Sequence, residues 1–179
     1  PAMGYGLPGG GGGGGYPRFD GATWNLSEAS AATGSPEDVS LAFGADGKPA
    51  IAYAYWSSGM VKIRYTRYNG IAWVDSALGP TTTEGLFPSL AFDLYGRPAI
   101  AYFDLGGDGG QLNYASYNGA SWAHTHVDGD ETGYTGPACS LAFGPDGKPA
   151  MAYLDYRASL DHAELRVARC NPGPILTWP

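Results

Sequence analysis

Residues Ser40-Leu41-Ala42-Phe43-Gly44-Ala45-Asp46-Gly47-Lys48-Pro49-Ala50-Ile51-Ala52-Tyr53 decide the fold, because the chain contains two further close copies of this stretch. The second copy reads SLAFDLYGRPAIAY over residues 89–102, and the third reads SLAFGPDGKPAMAY over residues 140–153. Self-similarity at a fixed period of roughly 20–50 residues is the signature of a repeat architecture, in which each repeat forms one supersecondary unit.

Each repeat predicts four short strands. In the first two, Ser-Leu-Ala-Phe and Ala-Ile-Ala-Tyr, large residues alternate with small ones, which is the period of a β-strand, and a glycine turn joins them. A third strand is predicted at 62–68, 111–117 and 163–169, and the fourth at 71–76, 121–127 and 175–178. An Asn-Gly turn separates the third and fourth strands in the first two repeats, and Cys-Asn-Pro-Gly-Pro replaces it in the last. A polar, glycine-rich connector of ten or more residues leads to the next repeat.

Four antiparallel strands recurring about every 50 residues predict an all-β fold of β-propeller blades, with a β-sandwich or an open stack of sheets as the alternatives. Residues 16–30 match only the third and fourth strands, because Phe19-Asp20-Gly21-Ala22-Thr23-Trp24 matches the Trp-bearing turn. We therefore predict three full repeats and an N-terminal half-blade. The boundaries are a glycine-rich arm (1–15), a half-blade with its connector (16–39) and three blades (40–88, 89–139 and 140–179).

The repeat resembles those of bacterial and archaeal surface proteins with sialidase-like propellers. Within it, residues 116–122 (SYNGASW) resemble a shortened Asp-box, the Ser-x-Asp-x-Gly-x-x-Trp hairpin of that family, with Asn in place of Asp and one residue fewer before Gly. The resemblance covers residues 16–178 and implies the fold, but these hairpins are structural and say little about function. A sialidase would imply three clustered arginines, a Tyr–Glu nucleophile pair and an aspartic acid. No Tyr–Glu pair stands out, so we expect no catalytic residue and no enzyme activity.

Composition excludes several classes of protein. Charged residues make up 15% of the 179 residues, against roughly 25% in an average domain, while aromatic residues make up 13%. With a net charge of −7, a nucleic acid or an anionic membrane is not an expected partner. No apolar run approaches the roughly 18 residues of a membrane helix, so membrane insertion is not expected.

Aromatic residues close to predicted loops are the candidate ligand site. Aromatic rings with nearby Asp and Asn can stack on sugars and hydrogen-bond their hydroxyls, although packing between blades is the competing explanation. The candidates are Trp56, Tyr55, Phe103, Tyr134 and Tyr156. Tyr53, Tyr102 and Tyr153 repeat strictly and are predicted to lie in the core. Asn25 begins an Asn-Leu-Ser sequon and is a candidate glycosylation site.

No metal or other cofactor is predicted. His124 and His126 lie two residues apart on one predicted strand face, but a metal would need a third ligand such as Asp128, and an exposed strand face is the simpler interpretation. Cys139 and Cys170 are predicted to be separate thiols, because the predicted strands place them at opposite ends of one sheet.

Three and a half blades cannot close a ring, which leads to the functional hypothesis. We expect a non-enzymatic, extracellular or cell-surface structural protein that self-assembles, with the half-blade strands pairing with a neighbouring copy in an oligomer or filament. The heptaglycine at residues 9–15 is either a flexible linker or an arm packed against that neighbour. A carbohydrate-binding propeller is the alternative, with glycans as partners. A glycosidase fragment is the third hypothesis.

Overall fold

The computed structural model describes residues 5–6, 14–29, 35–79, 85–106, 109–129, 133–157 and 162–170, and all regular structure in these ranges is β-strand. The prediction of an all-β fold built from four-stranded antiparallel blades is confirmed. In the same ranges, no helix is long and apolar enough to cross a membrane.

The strands form four sheets, which we call the half-blade and blades 1 to 3. The half-blade contains β1 (Tyr5–Gly6), β2 (Gly14–Phe19) and β3 (Trp24–Glu28). Blade 1 contains β4 (Ser35–Phe43), β5 (Pro49–Ser57), β6 (Met60–Tyr68) and β7 (Trp73–Ala77). Blade 2 contains β8 (Gly85–Phe92), β9 (Pro98–Asp104), β10 (Gln111–Tyr117) and β11 (Trp122–Asp128). Blade 3 contains β12 (Gly133–Thr135), β13 (Ser140–Phe143), β14 (Pro149–Arg157) and β15 (Glu164–Arg169). The strand predicted at 175–178 lies outside the described residues.

The first strand of each blade starts earlier than the Ser-Leu-Ala-Phe pattern predicts. Its register shifts by a β-bulge in blades 1 and 2, and in blade 3 the equivalent break separates β12 from β13, which both pair with β14. At the break, Asp38, Phe87 and Ala138 have φ angles of 38°, 52° and 57°. A bulge inserts a residue and breaks the alternation of large and small side chains, which is why the pattern stopped there.

The half-blade has three strands rather than the two predicted. β1 pairs with the start of β2 through Tyr5–Gly15 and Gly6–Gly14, in the place that β5 takes beside β6. The last two residues of the heptaglycine therefore belong to β2, whereas residues 9–13 lie outside the described residues. Because β1 satisfies backbone groups along part of the inner edge of the half-blade, less of that edge is left for pairing with a neighbouring chain.

The blades stack with small side chains against large ones. We call the side of a blade that is turned to the next blade in sequence its forward face, and the opposite side its rear face. The forward face of blade 1 buries Ala50, Ala52, Ala54 and Ile63 against rear-face residues of blade 2 such as Tyr102. Blade 2 packs on blade 3 in the same way, and Tyr53, Tyr102 and Tyr153 are 3–4% exposed, which confirms them as core residues.

A hydrogen bond between neighbouring first strands explains the serine of the repeated motif. Ser40 Oγ accepts a hydrogen bond from the Leu90 backbone N–H at 2.9 Å, and Ser89 Oγ accepts one from Leu141 at 2.9 Å. Each serine thus fixes the register between the first strands of neighbouring blades. Ser140, the third copy, is exposed on the forward face of blade 3.

Candidate functional site

One side chain fixes the turn before each repeated Trp. Asp20 Oδ1 accepts hydrogen bonds from the backbone N–H groups of Ala22 and Thr23 at 2.9 Å, and Asn69 and Asn118 cap the equivalent turns in the same way. The Thr23 and Ala22 N–H groups hold the pKa of Asp20 well below its ordinary value of 3.8. The Asp or Asn of the hairpin is therefore structural, and it delivers Trp24, Trp73 and Trp122 to the start of the fourth strand.

Grooves run between neighbouring sheets, and Trp73 and Trp122 line two of them. Groove 1, between the half-blade and blade 1, has a volume of about 1150 Å³, and groove 2, between blades 1 and 2, has about 920 Å³. Groove 3, between blades 2 and 3, is smaller, at about 220 Å³. Residues 49 positions apart line grooves 1 and 2, namely Tyr16/Tyr65, Arg18/Arg67, Tyr68/Tyr117, Trp73/Trp122 and Asp75/His124.

In groove 2 the aromatic wall is held from both sides. The ring centroid of Trp122 lies 5.4 Å from that of Tyr65, on the preceding blade, and 5.4 Å from that of Tyr117, on its own blade. Arg67 lies 5.1 Å from the centroid of the Phe92 ring and 3.1 Å from Asp46 Oδ1. The Lys48 backbone N–H and Arg67 hold the pKa of Asp46 below 3.8. This arginine is therefore neutralised by its own blade.

Groove 1 has the same wall but a different charge. The Trp73 centroid lies 5.1 Å from that of Tyr16 and 5.7 Å from that of Tyr68. Arg18 occupies the position of Arg67 and is exposed, and among the described side chains no carboxylate lies within ion-pair distance of it. Asp46, the partner of Arg67, lies in the turn between the first two strands of a blade, and the described half-blade has no such turn. Arg18 is therefore the groove cation most open to a ligand.

A tyrosine of the second strand makes a polar contact with a fourth-strand side chain in all three blades. The Tyr53 hydroxyl donates to Asp75 Oδ1 at 3.0 Å, and Arg64 also pairs with Asp75. Tyr102 OH lies 3.1 Å from His124 Nδ1. In blade 3 the Tyr153 hydroxyl donates at 2.5 Å to Asp128 Oδ2, which belongs to blade 2. The contact within blades 1 and 2 recurs at equivalent positions and is part of the blade structure, whereas the Tyr153–Asp128 bond joins two blades.

The predicted aromatic ligand residues do not form one site. Trp56 and Tyr156 occupy equivalent positions near the end of the second strand, in blades 1 and 3, and are 44% and 45% exposed. Tyr55 is half-buried, and the Arg64 guanidinium lies 5.3 Å from the centroid of its ring.

Two of these aromatic residues need separate comment. Phe103 is 3% exposed and packs on Phe87 with 6.3 Å between ring centroids, which favours packing in the core, the competing explanation, over its predicted role as a ligand residue. Tyr134 belongs to β12, but its side chain lies outside the described part of the chain.

Asn25 and the two histidines make local hydrogen bonds. Asn25 is exposed, and its Nδ2 donates to Asp20 Oδ2 at 2.9 Å; its glycosylation stays a prediction. His124 Nε2 lies 2.8 Å from the Leu78 carbonyl oxygen, on the preceding blade, and His126 Nε2 lies 3.1 Å from that of Gly129. Among the described residues, no group of three or more His, Cys, Asp or Glu side chains could hold a metal ion.

Sequence reasoning missed the grooves. The 49-residue spacing of Tyr, Arg and Trp is the sequence signal for them, because residues one repeat apart occupy equivalent places in neighbouring sheets. The structure shows that the same Trp both packs on the preceding blade and lines a groove.

Comparison with solved structures supports a propeller. A protein of unknown function from Dyadobacter fermentans DSM 18053 superimposes with a TM-score of 0.65 at 16% identity, over 88% of this chain and 54% of that one. The chain thus spans about half the length of that protein. At the level of sequence, no family model and no curated protein matches the chain.

Two further structures are proteins that act on or bind sugars. A fucose lectin from Kordia zhangzhouensis, solved with methyl-fucoside, has a TM-score of 0.54 at 13% identity, over 79% of this chain and 95% of the lectin. The NanB sialidase of Streptococcus pneumoniae has a TM-score of 0.55 at 20% identity, over 86% of this chain and 26% of the sialidase. At such identities the likeness shows the fold alone, which is a sialidase-like β-propeller fold.

Proposed function

We propose that this protein binds carbohydrate in the grooves between its blades, without catalysis, at the cell surface or outside the cell. The observation that carries the proposal is the repeated lining of grooves 1 and 2, where a Tyr, an Arg and a Trp recur at equivalent positions. A ligand site needs apolar surface with a few polar groups at fixed places, and both grooves offer that combination.

The chemistry of the lining suits a sugar. The faces of Trp73 and Trp122 can pack on the C–H faces of a pyranose ring, while Arg18 and the hydroxyl of Ser27 or Ser76 can hydrogen-bond its hydroxyl groups. Because these rings are already fixed by neighbouring tyrosines, binding costs little ordering of the side chains. Groove 1, with its exposed Arg18, also suits a sugar that carries a carboxylate.

Two of the three carboxylates that line grooves 1 and 2, Asp46 and Asp75, are held in ion pairs, which supports binding rather than hydrolysis. Glycosidases commonly need two carboxyl groups, one of them protonated to donate to the leaving oxygen. Asp46 is paired with Arg67, which helps to hold the pKa of that carboxyl below 3.8, and Asp75 is ion-paired with Arg64. Tyr153 and Asp128, which resemble the Tyr–carboxylate pair of a sialidase, join blade 3 to blade 2 and do not line any of the three grooves.

Binding can be tested by thermal unfolding with a panel of methyl glycosides, starting with methyl-fucoside and the methyl glycoside of sialic acid. A ligand at about 100 times its Kd stabilises the folded state by about 2.7 kcal/mol. In a chain of this size each kcal/mol raises Tm by about 2–4 °C, so we expect an increase of about 5–10 °C. Replacing Trp73→Phe and Trp122→Phe together, or Arg18→Gln in groove 1, should reduce this increase.

Trp24 is the matched control, because it has the same turn and strand position but, among the described residues, no preceding sheet with which to form a groove. At a low protein concentration, where contact between copies does not contribute, Trp24→Phe should leave sugar binding unchanged. The proposal is overturned if no glycoside of the panel raises Tm, or if Trp24→Phe lowers binding as much as the double groove variant does. Turnover of a chromogenic glycoside that survives in all of these variants would instead indicate an enzyme with a different site.

A further inference from the structure

The forward face of blade 3 exposes apolar side chains at positions that are buried elsewhere. Leu165 and Val167 of β15 are 76% and 71% exposed. On the same strand, Ala168 packs toward blade 2, and Arg166 pairs with Asp128 of that blade. Because side chains alternate along a strand, Leu165 and Val167 face away from blade 2.

Strand register identifies the equivalent residues in the other blades. Arg166 pairs with Tyr153 as Arg64 pairs with Tyr53, so Leu165 corresponds to Ile63 and Val167 to Tyr65. Ile63 and Tyr65 are 1% and 8% exposed, because blade 2 covers them. The corresponding pair in blade 2, Leu112 and Tyr114, is 0% and 4% exposed beneath blade 3. The forward face of blade 3 thus has the composition of a blade interface without, among the described residues, a blade on it.

The half-blade presents the complementary half of such an interface. Trp73 and Trp122 each pack on a tyrosine of the preceding sheet, so the equivalent Trp24 points away from blade 1, where it is 41% exposed. Leu26, two residues further on, is 67% exposed and stands where blade 1 has Asp75 and blade 2 has His124. The position that holds a polar residue at the internal interfaces therefore holds an apolar one on the outer face of the half-blade.

We propose that the partner of these faces is a second copy of this chain, with blade 3 of one copy packed head to tail on the half-blade of the next. The two outer faces are the two halves of the repeated interface, which is why a second copy fits them. Trp24 would then rest on Val167 as Trp122 rests on Tyr65, and Leu26 would be covered. The contact is made by sheet faces, because β1 already occupies part of the inner edge of the half-blade.

Head-to-tail contact has two consequences. The surfaces are different on the two copies, so the assembly is either a closed ring or an open filament. The contact also places Arg169, the equivalent of Arg67, beside Trp24 of the next copy. This juxtaposition would complete one more groove of the kind found inside the chain, although the assembly proposal does not depend on sugar binding.

Native mass over a concentration series, by light scattering after size exclusion, tests this proposal. The wild-type chain should exceed its monomer mass of 18.7 kDa as its concentration rises from about 1 µM to about 1 mM. Leu26→Glu and Val167→Glu, one at each end, should each remain monomeric. An equimolar mixture of the two variants retains one intact pair of faces, so it should form a dimer of twice 18.7 kDa and nothing larger.

Ile71→Glu is the matched control, since Ile71 is 91% exposed in a turn away from both end faces, and this variant should associate like the wild type. Circular dichroism establishes that each variant is folded. A wild-type chain that stays monomeric throughout overturns the proposal. So does an association that only one of the two end variants abolishes, because that result indicates contact between like faces.

Discussion

Replacing Ser89 with Ala should destabilise the protein although the side chain is small and lies at a blade surface. Ser89 Oγ accepts the Leu141 backbone N–H at 2.9 Å across the interface between blades 2 and 3. Leu141 is 7% exposed, so in the variant its N–H loses its partner where water does not easily replace it. Leaving a buried donor unsatisfied costs about 1–3 kcal/mol.

The chain supplies its own series of comparisons. Ser40→Ala removes the equivalent bond to Leu90 and should cost the same amount. Ser140→Ala changes the same motif position, but in the described part of the chain no backbone N–H donates to Ser140 Oγ, so its effect should stay below about 0.5 kcal/mol.

Urea unfolding measures these differences as changes in the free energy of unfolding. Thermal unfolding should show Tm lower by about 2–12 °C for the first two variants and almost unchanged for Ser140→Ala. Both are done at low protein concentration, so that contact between copies does not contribute. Equal effects at Ser89 and Ser140 would refute the reasoning, because they would show that the serine acts within its own blade.

Three further predictions concern packing and charge. Leu112→Ala, at a residue 0% exposed, should cost about 2–5 kcal/mol in urea unfolding, whereas Leu165→Ala at the equivalent exposed position should cost under about 0.5 kcal/mol. Gly85→Ala should lower Tm, because a Cβ there would lie 2.5 Å from Ile63 Cγ1, and overpacking typically costs about 1–3 kcal/mol. Asp20 should remain ionised at about pH 3 in carboxyl-carbon NMR, and its support of the turn, present above its ordinary pKa of 3.8, should be lost only as pH falls through the lower folded value.

The strands and turns of a single blade can be predicted from the sequence, but not all of the contacts between strands and between blades can. Alternation in Ser-Leu-Ala-Phe and Ala-Ile-Ala-Tyr predicts strands because side-chain direction has a period of two, and the Asn-Gly turns carry their own backbone preference. The bulges at Asp38 and Phe87 were missed because they break that alternation, and each side of the break looks like a connector. Phe103 looked like a loop aromatic, yet it lies under the bulge residue Phe87, a contact that only the register of β8 and β9 reveals.

The lining of the grooves depends on which positions of the repeat keep the same residue and which change it. The Trp of the fourth strand packs on the preceding sheet in blades 1 and 2, and this repeated residue gives grooves 1 and 2 the same apolar wall. The position two residues later varies, with Leu26, Asp75 and His124 in turn. Where a preceding sheet is present, that side chain is polar and hydrogen-bonded, and where none is described it is apolar and exposed. The residue at this position therefore distinguishes the internal interfaces from the outer face of the half-blade. At the internal interfaces it gives each groove a different polar group, and on the outer face its apolar side chain suits contact with a second copy.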